Sequence, residues 1–394
     1  MNGLDAYLAE RGAISTRLTE RLDQGATPRE ILQQPWTWRD TAARLGRARS
    51  RLESALFDPP PEAILLCGAG TSDYVGRSVQ EALRLGRRVF ADARPTTDFV
   101  LRPRALFPPV DRVLMVHFAR SGNSPESAET LRIGLELFSD AARHWIVTCN
   151  EDGTLARVAR EHPEACVATV LHPATNDRGL AMTSSYSSMV LAGLWLARPG
   201  GFSDRVERIA QAAERILSEH VDTIADVAAQ AFDRMFTLGD GALEAAAVES
   251  ALKVQELTGG AIVTKPEAFL AFRHGPISAV TPESLLVAFF ASDPHVRRYE
   301  EDLAAQLKTG FRLYLCDTAT RTLRETGDCL LEVPELAEID DAEKAVVAVV
   351  VGQLIAFFKA IALGIDPDDP VGEEGSYSRV VQGVTIHPYR EPNG

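Results

Sequence analysis

The sequence predicts an α/β fold: two similar units in tandem, each a mostly parallel sheet flanked by helices in three αβα layers. A helical arm precedes them and an extended tail follows. Three observations carry this reading. Short β-rich apolar runs alternate with helical stretches, the order that makes parallel strands with crossover helices. Small-residue and hydroxyl-rich loops join several of the runs to the helices. The alternation is interrupted at Pro199-Gly200-Gly201 and then restarts.

Residues 1–45 read as the arm. Thr27-Pro28-Arg29-Glu30 has the form of a helix start, with Thr27 as cap, Pro28 in the first turn and Glu30 reaching back. Trp36 and Trp38 are expected to pin the arm to the body. The first unit spans residues 46–200. Its runs are Ala63–Cys67, Val113–Phe118, Trp145–Cys149 and Cys166–Leu171, and the helix Thr183–Ala197 closes it. The second spans residues 201–370. A helical stretch from Ser203 to Ala231 leads into the strand Arg234–Leu238, the helix Leu243–Leu257, and strands at Leu285–Phe290, Phe311–Cys316 and Cys329–Val333. The apolar helix Ala342–Leu363 ends it. Residue identity between the halves is low, so the repeat is one of topology. The tail, residues 371–394, holds the β-branched stretch Arg379–Ile386, which is expected to dock on the body.

Composition narrows the function classes. A length of 394 residues suits two or three domains, and 45% hydrophobic with 24% charged residues is ordinary for a globular protein. The net charge of -14 disfavours nucleic acid as a partner, because phosphate backbones select basic surfaces. A locally positive pocket for a small anion remains compatible with it. Five scattered cysteines with no CxxC pair make neither a disulfide framework nor a zinc site. Cys67, Cys149 and Cys316 end apolar runs and are expected to be buried thiols. Neither a signal peptide nor an unbroken apolar span of membrane length is visible, so a cytoplasmic protein without a membrane partner is expected.

Three loops point to a phosphorylated or polyhydroxylated ligand. Gly68-Ala69-Gly70-Thr71-Ser72 joins a strand to a helix, but Asp73 stands where a dinucleotide fingerprint needs glycine. What remains is a tight turn with two hydroxyls at a helix N-terminus, which suits an anion or simply caps the helix. Arg120-Ser121-Gly122-Asn123-Ser124-Pro125-Glu126 is a second such loop. Either Ser124 caps the following helix, with Pro125 in its first turn, or Asn123 caps it with Glu126 three residues on. Two hydroxyl-rich loops on consecutive parallel strands would share the carboxyl edge of the sheet, where ligands bind. Thr183-Ser184-Ser185 opens a third cluster, although serine and threonine also favour helix starts for local reasons. Glu249, Lys253 and Glu256 share one helical face; by spacing alone this is a solvated ion-pair face. His274 precedes Gly275-Pro276 and reads as a turn histidine unless the context makes it catalytic.

These segments resemble the tandem sugar-isomerase (SIS) domain proteins, including the isomerase half of glucosamine-6-phosphate synthase. Gly70-Thr71-Ser72 matches that half's G-T-S turn. Ala119–Ser124 stands in place of its serine-rich phosphate loop. Ala251-Leu252-Lys253-Val254-Gln255-Glu256 matches A-L-K-x-x-E, and Arg273-His274-Gly275-Pro276 matches K-H-G-P. The tail SRVVQGVTI and the TSSYSS segment are similar to the AgaS group, described as galactosamine-6-phosphate deaminase/isomerases and formerly as tagatose-6-phosphate ketose/aldose isomerases.

The resemblance implies a sugar 6-phosphate held by Gly70, Thr71, Ser72, Arg120, Ser121, Gly122, Asn123 and Ser124, with Thr183, Ser184, Ser185 and Gln382 contributing. It implies His274 as the ring-opening residue and Glu256 as the base that moves a proton from C2 to C1. Gln382 lies near the place of a lysine that supports the synthase's glutamate, and cannot supply its charge. No cofactor and no metal is called for, since one carboxylate can shuttle the proton. The synthase's glutamine-hydrolysing domain and its cysteine have no counterpart, which implies release of ammonia rather than its addition. In the family the histidine can come from the neighbouring subunit, so a homodimer or higher homo-oligomer is implied. Competing readings are an aldose–ketose isomerase of a neutral sugar phosphate, a deglycase of phosphorylated Amadori compounds, and a non-catalytic phosphosugar sensor.

Overall fold

A computed structural model describes residues 3–10, 15–22, 25–372 and 383–389. The chain divides into two compact units that interleave along the sequence. One comprises Asp40–Asn176, Ser188–Phe202 and Tyr377–Gly394, and the other Met1–Arg39, Asp177–Ser187 and Ser203–Ser376.

The first-sheet unit holds β1 (Ala63–Gly68), β2 (Phe90–Pro95), β3 (Val113–Ala119), β4 (Ala142–Thr148) and β5 (Cys166–Val170). They lie in the order β2-β1-β3-β4-β5, all parallel. β1 and β3 are buried along their whole length, as parallel strands covered on both faces must be. Tyr389, from the described part of the tail, packs on a cluster containing Leu65, Cys67, Phe99 and Met115. The thiols of Cys67 and Cys166 are pushed up to about 12 by burial, so they behave as small core residues.

The second-sheet unit repeats the plan with β6 (Arg234–Leu238), β7 (Val263–Glu267), β8 (Ser284–Phe289), β9 (Phe311–Cys316) and β10 (Cys329–Glu332). Its parallel order, β7-β6-β8-β9-β10, is the same permutation as in the first sheet. The helix Asp341–Ala362 is long and apolar enough to cross a membrane by length and composition, yet it is buried within this unit. It packs against the helix Ala242–Leu257. A Cβ on Gly352 would stand 2.2 Å from the Ser250 hydroxyl, so the two helices approach this closely only over glycine.

Two local expectations are corrected. β2 and β7 were not expected. Each is an edge strand containing a proline (Pro95 and Pro266), which weakens the strand pattern and is tolerated where one side needs no partner. The stretch after Gly201 is helical as expected, with a π-helical segment at Ile216–His220 between Phe202–Arg215 and Val221–Ala228. Thr27 is not a cap; it lies inside the helix Thr27–Leu32, whose N-cap is Ala26. The Thr27 hydroxyl instead donates to the Asp368 carboxylate, and the Glu30 carboxylate accepts from the amides of Arg178 and Gly179. Trp38 does pin the arm: it is fully buried and its Nε1 donates to the Ser187 hydroxyl at 2.8 Å.

Burial, with Asp177 and Asp368 nearby, pushes the Glu30 carboxyl up to about 8. The folded state therefore holds a proton there between the ordinary carboxylate range and pH 8, while the unfolded chain does not. The stability from this proton is complete below that range and is lost as pH rises through about 8. We expect the wild type to lose stability between pH 6 and 9, and Glu30→Gln to be much flatter. Denaturant unfolding at the two pH values checks this, and equal slopes would remove Glu30 as the cause.

Candidate active site

The first-sheet unit builds two loops at one edge. β1 and β3 are hydrogen-bonded neighbours, with Cys67 beside His117, so the segments after them leave the same carboxyl edge. At the first, Gly70 has φ 55° and ψ −128°, and a Cβ on Gly68 would stand 2.2 Å from the Ser72 carbonyl. The counterpart turn after β6 repeats both features. Gly241 has φ 58° and ψ −124°, and a Cβ on Gly239 would meet the Leu243 carbonyl at 2.4 Å. The tandem repeat thus extends to the backbone of the strand-to-helix turn. Thr71 and Ser72 are buried in the first turn of the helix Thr71–Arg87, where the Ser72 amide donates to the Ala69 carbonyl. Asp73 is buried; burial raises its carboxyl against the opposing pull of Arg77, whose Nε donates to it at 2.8 Å.

A Cβ placed on Gly70 meets nothing within 4 Å, so the cost of Gly70→Ala is backbone strain alone. We expect it to destabilise by about 1–3 kcal/mol. Equilibrium unfolding measures this, and a neutral substitution would show that the turn relaxes.

The second loop is clamped by its neighbour. Ser124 takes the cap position of the helix Pro125–Leu137, but its hydroxyl donates to the Ser127 hydroxyl at 2.6 Å instead of capping. Asn123 faces the other way. Its Oδ1 accepts from the Thr154 amide at 2.9 Å, and its own amide donates to the Ser121 hydroxyl at 3.2 Å. Asn150 Nδ2 donates to the Ser121 carbonyl at 2.9 Å, and the Leu155 amide to that of Gly122. Arg120 is buried and Gly122 has φ 65°. The segment after β4 therefore sets the shape of the serine loop. Asn150 was not anticipated; its place directly after β4 was the available signal. A cavity of about 810 Å³ in this unit, lined by Arg143 and Cys166, opens at the amino ends of β4 and β5, on the opposite edge. Its Arg143 is engaged by the carbonyls of Ala55, Asp58 and Pro59, so we place the candidate chemistry at the loops.

The third hydroxyl cluster belongs to the second-sheet unit. Thr183, Ser184 and Ser185 are fully buried around Asp177, itself fully buried. Asp177 Oδ2 accepts from the Thr183 and Ser185 amides, each at 2.8 Å, and its carboxylate also accepts from the hydroxyls of Ser184 and Ser185. This places a negative charge at the N-terminus of the helix Ser184–Ala197, where its dipole favours one. Asp177 carries no local motif in the sequence, because it lies seven residues before the helix it serves.

In the second-sheet unit the expected ion-pair face is not solvated. Glu249 and Lys253 have no exposed side-chain surface, whereas Glu256 is 31% exposed. Lys253 Nζ lies 3.3 Å from Glu249 Oε1 and 2.5 Å from Glu256 Oε2. Burial by itself would lower the Lys253 ammonium, but the two carboxylates outweigh it and hold it above its ordinary value. Glu256 sits in the last turn of the helix Ala242–Leu257, where a carboxylate opposes the dipole. Helix stability does not explain it. His274 is exposed, in a turn fixed by the helix Phe269–Phe272, whose Phe269 and Phe272 rings are buried against Phe290 and Phe236. Gln382 lies outside the described residues.

No family model matches the chain. Individual relatives do. A Streptomyces coelicolor protein bearing the AgaS name is 39% identical over 92% of this chain and 95% of its own length. An Escherichia coli protein named D-galactosamine-6-phosphate deaminase AgaS is 34% identical over 92% of this chain and 96% of its own. The crystal structure of tagatose-6-phosphate ketose/aldose isomerase from Escherichia coli matches with a TM-score of 0.86 and 31% identity, covering 93% of this chain and 97% of that one. Two five-stranded parallel sheets of identical strand order, together with 34–39% identity to these relatives over 92% of the chain, show that the chain belongs to the AgaS group of tandem sugar-isomerase-domain proteins.

Proposed function

We propose that this protein is an isomerising deaminase, converting an amino-sugar 6-phosphate, with galactosamine 6-phosphate favoured, to a ketose 6-phosphate and ammonia. The observation that carries the reading is the buried ammonium of Lys253 between two carboxylates, one wholly buried and one partly open. Such an arrangement orients Glu256 and leaves a face of its carboxylate available for proton transfer.

In the reaction, hydroxyl and amide donors of the 70–72 and 120–124 loops take the phosphate. His274 protonates the ring oxygen as the C1–O5 bond breaks and the C1 hydroxyl proton leaves, exposing the aldehyde. Glu256 removes the C2 proton as the C1 oxygen takes up a proton, giving an enolamine, and then returns a proton to C1 as an N–H proton leaves the nitrogen. The product is a C1 alcohol with an imine at C2. Water adds to the C=N bond and ammonia leaves, giving tagatose 6-phosphate from the galacto substrate. A cytoplasmic homodimer with shared sites suits this chemistry, since phosphorylated sugars are retained inside cells. The tail would close over the sugar and exclude water until the imine forms.

A second reading, an aldose–ketose isomerase of a neutral sugar phosphate, is favoured by the name of the Escherichia coli structure and uses the same base. The test is to incubate the protein with galactosamine 6-phosphate, glucosamine 6-phosphate and tagatose 6-phosphate, and to measure ammonia and ketose. Equal amounts of ammonia and ketose phosphate from an amino sugar are expected. Isomerisation of tagatose 6-phosphate with no ammonia from either amino sugar would select the second reading, and binding without turnover would reject both.

A further inference from the structure

The arginines of this chain commonly use one donor pair in the same way. In Arg39, Arg132 and Arg312, Nε and Nη2 form a two-point fork to a single carboxylate, that of Glu207, Glu129 and Asp328. These two N–H groups are parallel, and their spacing matches two oxygens of one carboxylate or phosphate. In Arg273 both Nε and Nη2 are shielded from solvent and have no acceptor among the described residues. It is the only described arginine with both fork nitrogens in this state. A buried charged donor left unmade is unfavourable, so native structures keep few without a use.

The backbone holds this side chain in place. Arg273 ends the helix Phe269–Phe272, anchored by two buried phenylalanines, and the His274 amide donates to the Ala271 carbonyl at 2.9 Å. The fork therefore stands on a fixed turn, one residue before His274. In a hexose 6-phosphate the ring oxygen and the phosphate ester are carried by adjacent carbons, C5 and C6. Neighbouring residues of one turn are thus suited to address both.

We propose that Arg273 is a substrate-positioning residue whose Nε/Nη2 fork takes two oxygens of the sugar's phosphate. This rests on the sugar-phosphate reading above. A phosphate monoester has three terminal oxygens, enough for the fork and for hydroxyl donors besides.

The test compares wild type with Arg273→Gln, which removes the charge, and Arg273→Lys, which keeps it but lacks the fork. The expected result for Arg273→Gln is a KM for galactosamine 6-phosphate raised at least tenfold with kcat within threefold. The concentration of inorganic phosphate giving half-maximal thermal protection should rise at least tenfold, and Arg273→Lys should recover only part of either. The proposal is overturned if phosphate protects Arg273→Gln as it does wild type, if phosphate fails to protect wild type, or if unliganded stability falls while KM stays constant. Dissociation of an oligomer with phosphate protection intact also overturns it, since the fork would then hold a carboxylate of a second copy. Protection needs no turnover. Phosphate protection lost in Arg273→Gln, with no deamination by wild type, would reject the deaminase reading and leave the fork standing.

Discussion

Glu256→Gln lowers kcat by about 10²–10⁴, the usual contribution of a positioned general base, while sugar-phosphate affinity changes little. Glutamine keeps the shape of the side chain and an oxygen for the Lys253 ammonium, now 2.5 Å from Glu256 Oε2, so the helix end should keep its geometry. What is lost is the ability to accept the C2 proton. Steady-state kinetics with galactosamine 6-phosphate gives kcat, and calorimetric titration gives affinity. Solvent-deuterium incorporation at C1 of the product adds a readout of proton transfer. Retention of near-wild-type kcat in this variant would remove Glu256 as the base.

Lys253→Met has the largest expected effect on stability, about 3–5 kcal/mol, because it breaks a buried ion pair by removing one partner. Glu249 has no exposed side-chain surface and its ion pair runs to Lys253 at 3.3 Å. Without the ammonium its wholly buried carboxylate loses this ion pair while remaining desolvated. The double variant Glu249→Gln/Lys253→Met removes both members of that pair and should recover a large part of the loss. The gap between the double variant and the summed singles measures the coupling. Denaturant unfolding supplies all three values. Additive single effects would show that the two side chains do not share one electrostatic site. Activity should also fall in Lys253→Met, because Glu256 loses the partner that orients it.

Much of the architecture was legible because parallel strands buried on both faces are apolar along their length. Arg234–Leu238 and Phe311–Cys316 are strands over the expected residues, and Ala63–Cys67 extends by one to Gly68. β2 and β7 escaped notice for the converse reason. As edge strands they are only partly buried, and each carries a proline. The candidate site was legible where motifs are local, as at Gly68–Ser72, whose two glycines meet a steric and a backbone demand. It was illegible where partners are distant in sequence or burial decides the chemistry. Asp177 serves a helix that begins seven residues later, and Asn150 holds a carbonyl twenty-nine residues away.

By itself, the sequence determined the α/β class, the tandem repeat, the hydroxyl-rich loops, and the residues that carry the family resemblance. Those features are written in local composition and period, which one stretch of chain displays without its neighbours. Only the tertiary structure decided that Lys253 and Glu249 face inward while Glu256 stays partly open, that Thr183–Ser185 surround Asp177, and that the Arg273 fork is shielded and unmet among the described residues. Helical spacing places side chains on a common face, but only packing says whether that face meets water or protein. Desolvation then decides whether an ion pair is a surface ornament or a charge network on which the fold and the reaction both depend.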